Sequence, residues 1–106
     1  MSTAELFAAP IFAAMGDETR LALLARLGEG PASIVRLNAG RPMSRQALTK
    51  HLHVLEKAGL VRRERAGRES LWSLQRQRLD EARLYLDLMS RQWDERLGRL
   101  KVLVED

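Results

Sequence analysis

From about Gln75 to Asp106 the chain offers no helix breaker except Gly98, and its apolar residues recur at helical intervals. Leu79, Ala82, Leu86, Met89, Trp93, Leu97, Leu100 and Val104 follow one another by three or four residues, a nearly heptad seam. At 1.5 Å per residue this predicts one helix of roughly 48 Å. The whole chain has 106 residues, one domain's worth. A domain of that size has too little surface of its own to cover so long a stripe. The seam therefore predicts a homodimer packed along Leu79, Leu86, Met89, Trp93, Leu97 and Leu100, with Trp93 as the main anchor.

Upstream, punctuation residues divide the chain into short elements. Residues 4–15 read as an apolar helix interrupted or restarted at Pro10 and ended by Gly16. Asp17 reads as the N-cap of a second helix, with Glu18 in its first turn. Its apolar stripe is read as Leu21, Leu24, Ala25 and Leu27, with Arg20 and Arg26 outside it. Gly28, Gly30 and Pro31 close that helix. Ser33 caps a brief helix, Ile34–Ala39, stopped by Gly40 and Pro42, and Ser44 caps another running to Ala58, with Gly59 as its stop. Leu60–Arg65 and Glu69–Leu74 then read as two strands around Ala66-Gly67. The order is four helices, a hairpin and a last helix. This predicts a mainly α fold with a small β-hairpin, a single winged helix-turn-helix domain over residues 1–106 with both terminal helices in the dimer interface.

Charge is distributed unevenly over this plan. The formal net charge is +4, but residues 1–42 sum to zero, residues 43–78 to +6 and residues 79–106 to −2. A basic block between near-neutral flanks implies a polyanion-binding surface. On a helix over residues 44–58, Leu48, Leu52 and Leu55 fall within about 60° of one another and form the buried stripe. Gln46, Thr49, Lys50, His53 and Lys57 spread over the opposite face, with Arg45 at its N-terminal edge. These amides, hydroxyls and cations are the groups that pair with base edges and phosphates, and the amino end of such a helix favours phosphate. Arg45, Gln46 and Thr49 are the candidates for base contact; Lys50 and His53 are assigned to the backbone beside the cap Ser44. The hairpin adds Arg62, Arg63, Arg65 and Arg68 around a glycine-containing tip, of which Arg62, Arg65 and Arg68 are candidate contacts to a minor groove or its phosphates. Val61, Leu71, Trp72 and Leu74 can anchor its base. The expected partner is double-stranded DNA; a winged-helix module for protein or RNA is the alternative that the arginine cluster alone leaves open.

Other classes are disfavoured. There is no cysteine, no Gly-rich phosphate loop and no histidine placed with a nucleophile, so no enzyme and no cofactor are expected. His51 and His53, two residues apart on a helix, point about 200° apart and cannot share a metal ion. His51 reads as a structural, hydrogen-bonded histidine. The apolar stretch Leu6–Met15 lacks a preceding basic residue, the first being Arg20, so it does not read as a signal peptide. No run approaches the ~20 apolar residues needed to span a bilayer. A cytoplasmic location without membrane association is expected.

These residues resemble the ArsR-type family of winged-helix repressors. Phe12-Ala-Ala-Met-Gly-Asp-Glu-Thr-Arg-Leu-Ala-Leu-Leu is similar to that family's opening helices. Met43–Val61 resembles its turn and recognition helix, and AGRESLWSL its wing. The resemblance implies a dimer held by its first and last helices, whose binding to a palindromic operator is relieved by an inducer. Many relatives sense metals through cysteines in the third helix or through histidines and carboxylates in the last. This sequence departs from them: Ser33–Asn38 has no cysteine and the last helix no histidine. No metal is expected at either position. The effector is left open between an organic ligand, a partner protein and the regulator's own concentration.

Overall fold

Each of the first four long or short helices starts where a side-chain oxygen takes up a free backbone N–H. Ser2 forms a capping box with Glu5, its Oγ accepting from Glu5 N–H at 3.2 Å while its own N–H donates to the Glu5 carboxylate. Asp17, Ser33 and Ser44 accept from the backbone N–H of Arg20, Arg36 and Ala47 at 3.0, 3.4 and 3.1 Å. The computed structural model describes residues 2–105. The caps define α1 (Thr3–Met15), α2 (Glu18–Leu27), α3 (Ile34–Asn38) and α4 (Arg45–Lys57). Between α2 and α3 lies the two-residue strand β1 (Ala32–Ser33); β2 (Val61–Ala66), β3 (Glu69–Leu74) and α5 (Arg76–Glu105) complete the chain.

The hairpin belongs to a three-stranded antiparallel sheet in the order β1-β3-β2, with Ala32 opposite Trp72 and Val61 opposite Leu74. β1 is too short to carry a period-two pattern and escaped the sequence reading. The hairpin's closing pair is Ala66 and Glu69, so the turn residues are Gly67 and Arg68, one position later than expected. Gly67 supplies the positive φ (+64°) that the first position of a tight hairpin turn requires, and Arg68 has none.

Two further expectations are corrected. α1 runs unbroken through Pro10, because Ala8, Ile11 and Ala14 bury its inner face and the proline sits on the exposed side. The missing proline N–H leaves only the carbonyl of exposed Leu6 without its helical donor. In α2 the buried residues are Leu23, Leu24 and Leu27; Leu21 is 51% exposed and Ala25 is exposed too. The ten residues of α2 offer two overlapping helical stripes, and Arg20 selects between them. Its guanidinium lies on the inner side, with Nε donating to the Ala14 carbonyl at 2.6 Å. Arg20 thus belongs to the inward face that sequence placed elsewhere.

The core is built from Ile11, Leu23, Leu37, Leu48, Leu52, Leu55, Leu60 and Trp72, all 2% exposed or less. α5 leaves it abruptly. Ala82 is its only buried residue among those described, and Tyr85 packs on Phe12 of α1 with ring centroids 6.1 Å apart. Leu79, expected at the head of the seam, lies against the protomer's own core, because α1 runs beside the opening turns of α5. Residues 86–105 are exposed throughout. The radius of gyration is accordingly 18.4 Å, against ~13 Å for a compact chain of this length.

Candidate nucleic-acid interface

The site begins with how α4 is held. Leu48, Leu52 and Leu55 are wholly buried, which fixes the helix in rotation and turns Arg45, Gln46, Lys50 and His53 outward. Thr49 is half-buried, at the edge of that outward face. Ser44 closes the amino end, and Gly59 closes the other at φ +79°, a conformation that L side chains rarely adopt. Leu60 then donates back to the Leu55 carbonyl and accepts from Gln75 N–H at 2.8 Å, so the end of α4 and the approach to α5 share one residue.

His51, the inward histidine, sits in a polar clamp. Its Nδ1 lies 3.3 Å from Arg20 Nη1 and 3.6 Å from Asp17 Oδ2. The clamp joins the end of α1, the start of α2 and the middle of α4. The Arg20 N–H is the chief cause that holds the Asp17 carboxyl below its ordinary value of 3.8, and the His51 and Arg20 charges act in the same direction. A carboxylate with a depressed folded-state pKa stabilises the fold above its unfolded value and loses that contribution as pH falls through the folded one. The stability difference between wild type and Asp17→Asn should therefore be full near neutrality, begin to fall near pH 3.8 and be lost as pH drops through the lower folded-state value. Urea unfolding across pH tests this, and a difference that persists undiminished to the acid limit of folding rules it out.

Strand alternation divides the wing's arginines between two faces. Val61, Arg63 and Arg65 share a face with their cross-strand partners Leu74, Trp72 and Ser70. Arg62 and Glu64 lie on the other, ion-paired at 2.6 Å. Trp72 is 2% exposed, and His53 of α4 approaches its ring to 6.0 Å between centroids. The Arg63 guanidinium carbon lies 5.8 Å from the centroid of the same ring. Trp72 thus joins the outward face of α4 to one face of the wing, and brings His53 and Arg63 together. Sequence reasoning counted Arg63 in the cluster but omitted it from the contact set; counting by twos from Val61 would have found it. Arg62 is separated from this face by the same periodicity. Arg65 Nε reaches its own turn at the Gly67 carbonyl, and Arg68 occupies the tip with no ion pair among the described residues.

A helix-turn-helix domain profile matches residues 15–64, from the end of α1 into β2. The HTH-type transcriptional regulator Rv2034 of Mycobacterium tuberculosis is 38% identical over 74 residues, covering 70% of this chain and 69% of that protein. The solved ArsR-like transcriptional regulator from Rhodococcus sp. RHA1 superposes with a TM-score of 0.85 at 34% identity, covering 96% of each chain. The chain belongs to the ArsR-like family of transcriptional regulators. HlyU from Vibrio cholerae has the same architecture, with a TM-score of 0.69 at 26% identity over 88% of this chain and 98% of that one. As an ArsR-like regulator the chain binds DNA, and its winged helix-turn-helix is the architecture read from the sequence. Among the described residues no three of His, Cys, Asp and Glu converge as metal ligands would. No helix described is long and apolar enough to cross a membrane.

Proposed function

We infer that this ArsR-like chain acts as one domain and as a cytoplasmic homodimer, a non-enzymatic repressor that reads a palindromic operator in double-stranded DNA. The observation that supports this reading is the outward face of α4, polar and cationic along its length and capped at Ser44. In this motif the N-terminal residues of the recognition helix enter the major groove. Arg45, Gln46 and Thr49 then read base edges, while Ser44, Lys50 and His53 meet the sugar-phosphate backbone. Arg63, Arg65 and Arg68 carry the wing's phosphate contacts; Arg62, neutralised by Glu64 on the other face, adds general potential only. Dimerisation through the two terminal helices, with Leu86, Met89, Trp93, Leu97 and Leu100 of α5 in the seam, places two recognition helices about one helical turn, ~34 Å, apart.

Fluorescence anisotropy against duplex from the region upstream of the chain's own gene, a random duplex and a random RNA, over a salt series, tests the reading. Duplex preference with sequence selectivity is expected, and equal affinity for RNA would assign the surface to a different partner. Arg45→Ala and Gln46→Ala should each lose about 1–3 kcal/mol on the specific site and much less on random duplex. A loss equal on all sequences would make both residues phosphate contacts instead.

A further inference from the structure

The buried leucines of α4 decide which of its faces goes inward, but apolar packing has no direction and sets tilt and depth only loosely. Hydrogen bonds are directional, and one cluster of them reaches α4 from behind. Arg20 is its hub. Nε donates to the Ala14 carbonyl at 2.6 Å and Nη2 to the Ala13 carbonyl at 3.5 Å, at the end of α1, where the last carbonyls of a helix lack helical donors. The backbone N–H of the same residue donates to the Asp17 carboxylate at 3.0 Å. With its main chain and two of its nitrogens held in this way, the planar guanidinium presents Nη1 to His51 of α4, 3.3 Å from Nδ1.

His51 stands on the far side of α4 from the residues assigned to base edges. It is two residues from Thr49, so at 100° per residue it lies about 160° round the helix from it. A side chain there cannot meet a base while Thr49 does. Any influence of His51 on base reading therefore passes through the setting of the helix.

Nδ1 of His51 faces one donor and one acceptor. Arg20 Nη1 is within hydrogen-bond reach at 3.3 Å, whereas Asp17 Oδ2, at 3.6 Å, lies just beyond it. That is the geometry of a neutral imidazole with its proton on Nε2, accepting from the arginine at Nδ1. Protonation turns Nδ1 into a donor, which breaks the arm to Arg20 and favours Asp17. Asp17 and Arg20 are the charged groups that meet the ring among the described residues. Of the other elements packed on α4, the last turn of α1 carries no charged side chain, while Arg36 of α3 and Arg62, Arg63, Glu64 and Arg65 of β2 are exposed.

Resting on the DNA reading above, we propose that Arg20 and His51 are positioning residues for base recognition. Their contact holds α4 at the tilt and depth at which Arg45, Gln46 and Thr49 meet base edges. A contact set of this kind works only when supporting hydrogen bonds hold it to within roughly 0.5 Å of the productive geometry. Phosphate contacts tolerate more, because long cationic side chains follow the backbone, so loss of the clamp costs selectivity before it costs general affinity.

The test uses the full chain, a duplex that wild type itself selects from a randomised pool, and a random duplex of equal length. Selectivity is the ratio of the two affinities, read by anisotropy. His51→Leu keeps bulk and helix propensity but removes the acceptor. It should lower selectivity about tenfold, the worth of one bidentate base contact, and leave affinity for random duplex within about twofold of wild type. His51→Asn sets its side-chain carbonyl near the place of Nδ1, accepts from Arg20 and should restore most of the selectivity. From about pH 8 to about pH 5, across the ordinary imidazole range, wild-type selectivity should fall, because a protonated Nδ1 cannot accept; in His51→Asn it should stay level. His53 is present in both proteins and cancels in that comparison. The wild-type pH profile reads the contact without any substitution, and circular dichroism shows that each variant is folded. A clamp that served stability alone would move the melting midpoint and leave selectivity and its pH profile untouched. Undiminished selectivity in folded His51→Leu, an equal loss on both duplexes, or the same pH profile in wild type and His51→Asn overturns the positioning role. A wild type that enriches no sequence from the pool refutes the DNA reading itself, and the positioning role falls with it.

Discussion

Replacing Trp72 by alanine is expected to remove about 3–5 kcal/mol of stability, the range for emptying a buried tryptophan site. The ring is 2% exposed on the central strand of the sheet, with Ala32 opposite on one side and Arg63 on the other. No collapse can fill that space, because the strands to either side are held by the ladder and α4 by its own leucines. For a domain of this size the loss corresponds to a melting midpoint lower by on the order of 15–25 °C at fixed protein concentration. Thermal unfolding at one concentration measures it, and a loss below about 1 kcal/mol would mean that Trp72 is not the packing link between sheet and helix.

The same substitution bears on DNA binding by a separate route. His53 and Arg63 meet on the Trp72 ring, so the wing and the recognition helix are set relative to one another through it. Trp72→Phe keeps an aromatic surface and much of the volume. It should recover most of the stability, and the operator affinity of Trp72→Phe at a temperature where it is fully folded isolates the geometric contribution. Wild-type affinity in Trp72→Phe combined with lost affinity in Trp72→Ala would assign the effect to unfolding alone.

Much of this architecture is legible in the residues, for identifiable reasons. Ser33, Ser44 and Asp17 announce helix starts because a short oxygen-bearing side chain can satisfy a free N–H where longer apolar ones cannot. Gly67 and Gly59 announce stops because their positive φ values exclude most alternatives. The buried stripe of α4 was unambiguous, since its other face is polar apart from Val54. α2 was not, because leucines and alanines surround it and only the position of Arg20, fixed by the carbonyl of Ala14 across a turn, decides which face goes inward. That is a tertiary contact without a local signature. β1 is invisible for a similar reason: two residues become a strand only because β3 lies beside them. The division of the wing's arginines between faces was available from period two and was overlooked because the cluster was read as a count rather than an alternation. The partners of His51 depend on how three helices approach, which no periodicity within any one of them reports.

Trp93→Ala is expected to convert the proposed dimer to monomers at concentrations where wild type remains associated. In the isolated protomer Trp93, Leu97 and Leu100 are each 56% exposed, and Leu86 and Met89 49% and 38%, all on one side of α5. A helix of twenty residues standing clear of its domain is marginal in water unless its apolar face is covered. Lone surface leucines need no explanation, but a contiguous stripe of this length does. A second α5 laid along it supplies the cover, and the largest side chain near the middle of such an interface typically contributes 2 kcal/mol or more, roughly thirtyfold in dissociation constant. Sedimentation equilibrium reads this directly. So does the melting midpoint, which should rise with protein concentration in wild type and be flat in Trp93→Ala. Glu95→Ala, on the opposite side of α5, should leave association unchanged. The chain's two tryptophans allow an independent check. In Trp72→Phe the remaining indole is Trp93, and its emission should move to the blue as concentration rises and the seam closes over it. DNA binding follows from the same event, because a monomer engages one half-site and about half the phosphates. Its slope of log affinity against log salt should therefore fall to about half that of the dimer. A Trp93→Ala protein that remains dimeric, with an unchanged salt slope, would show that the exposed stripe of α5 has some other purpose.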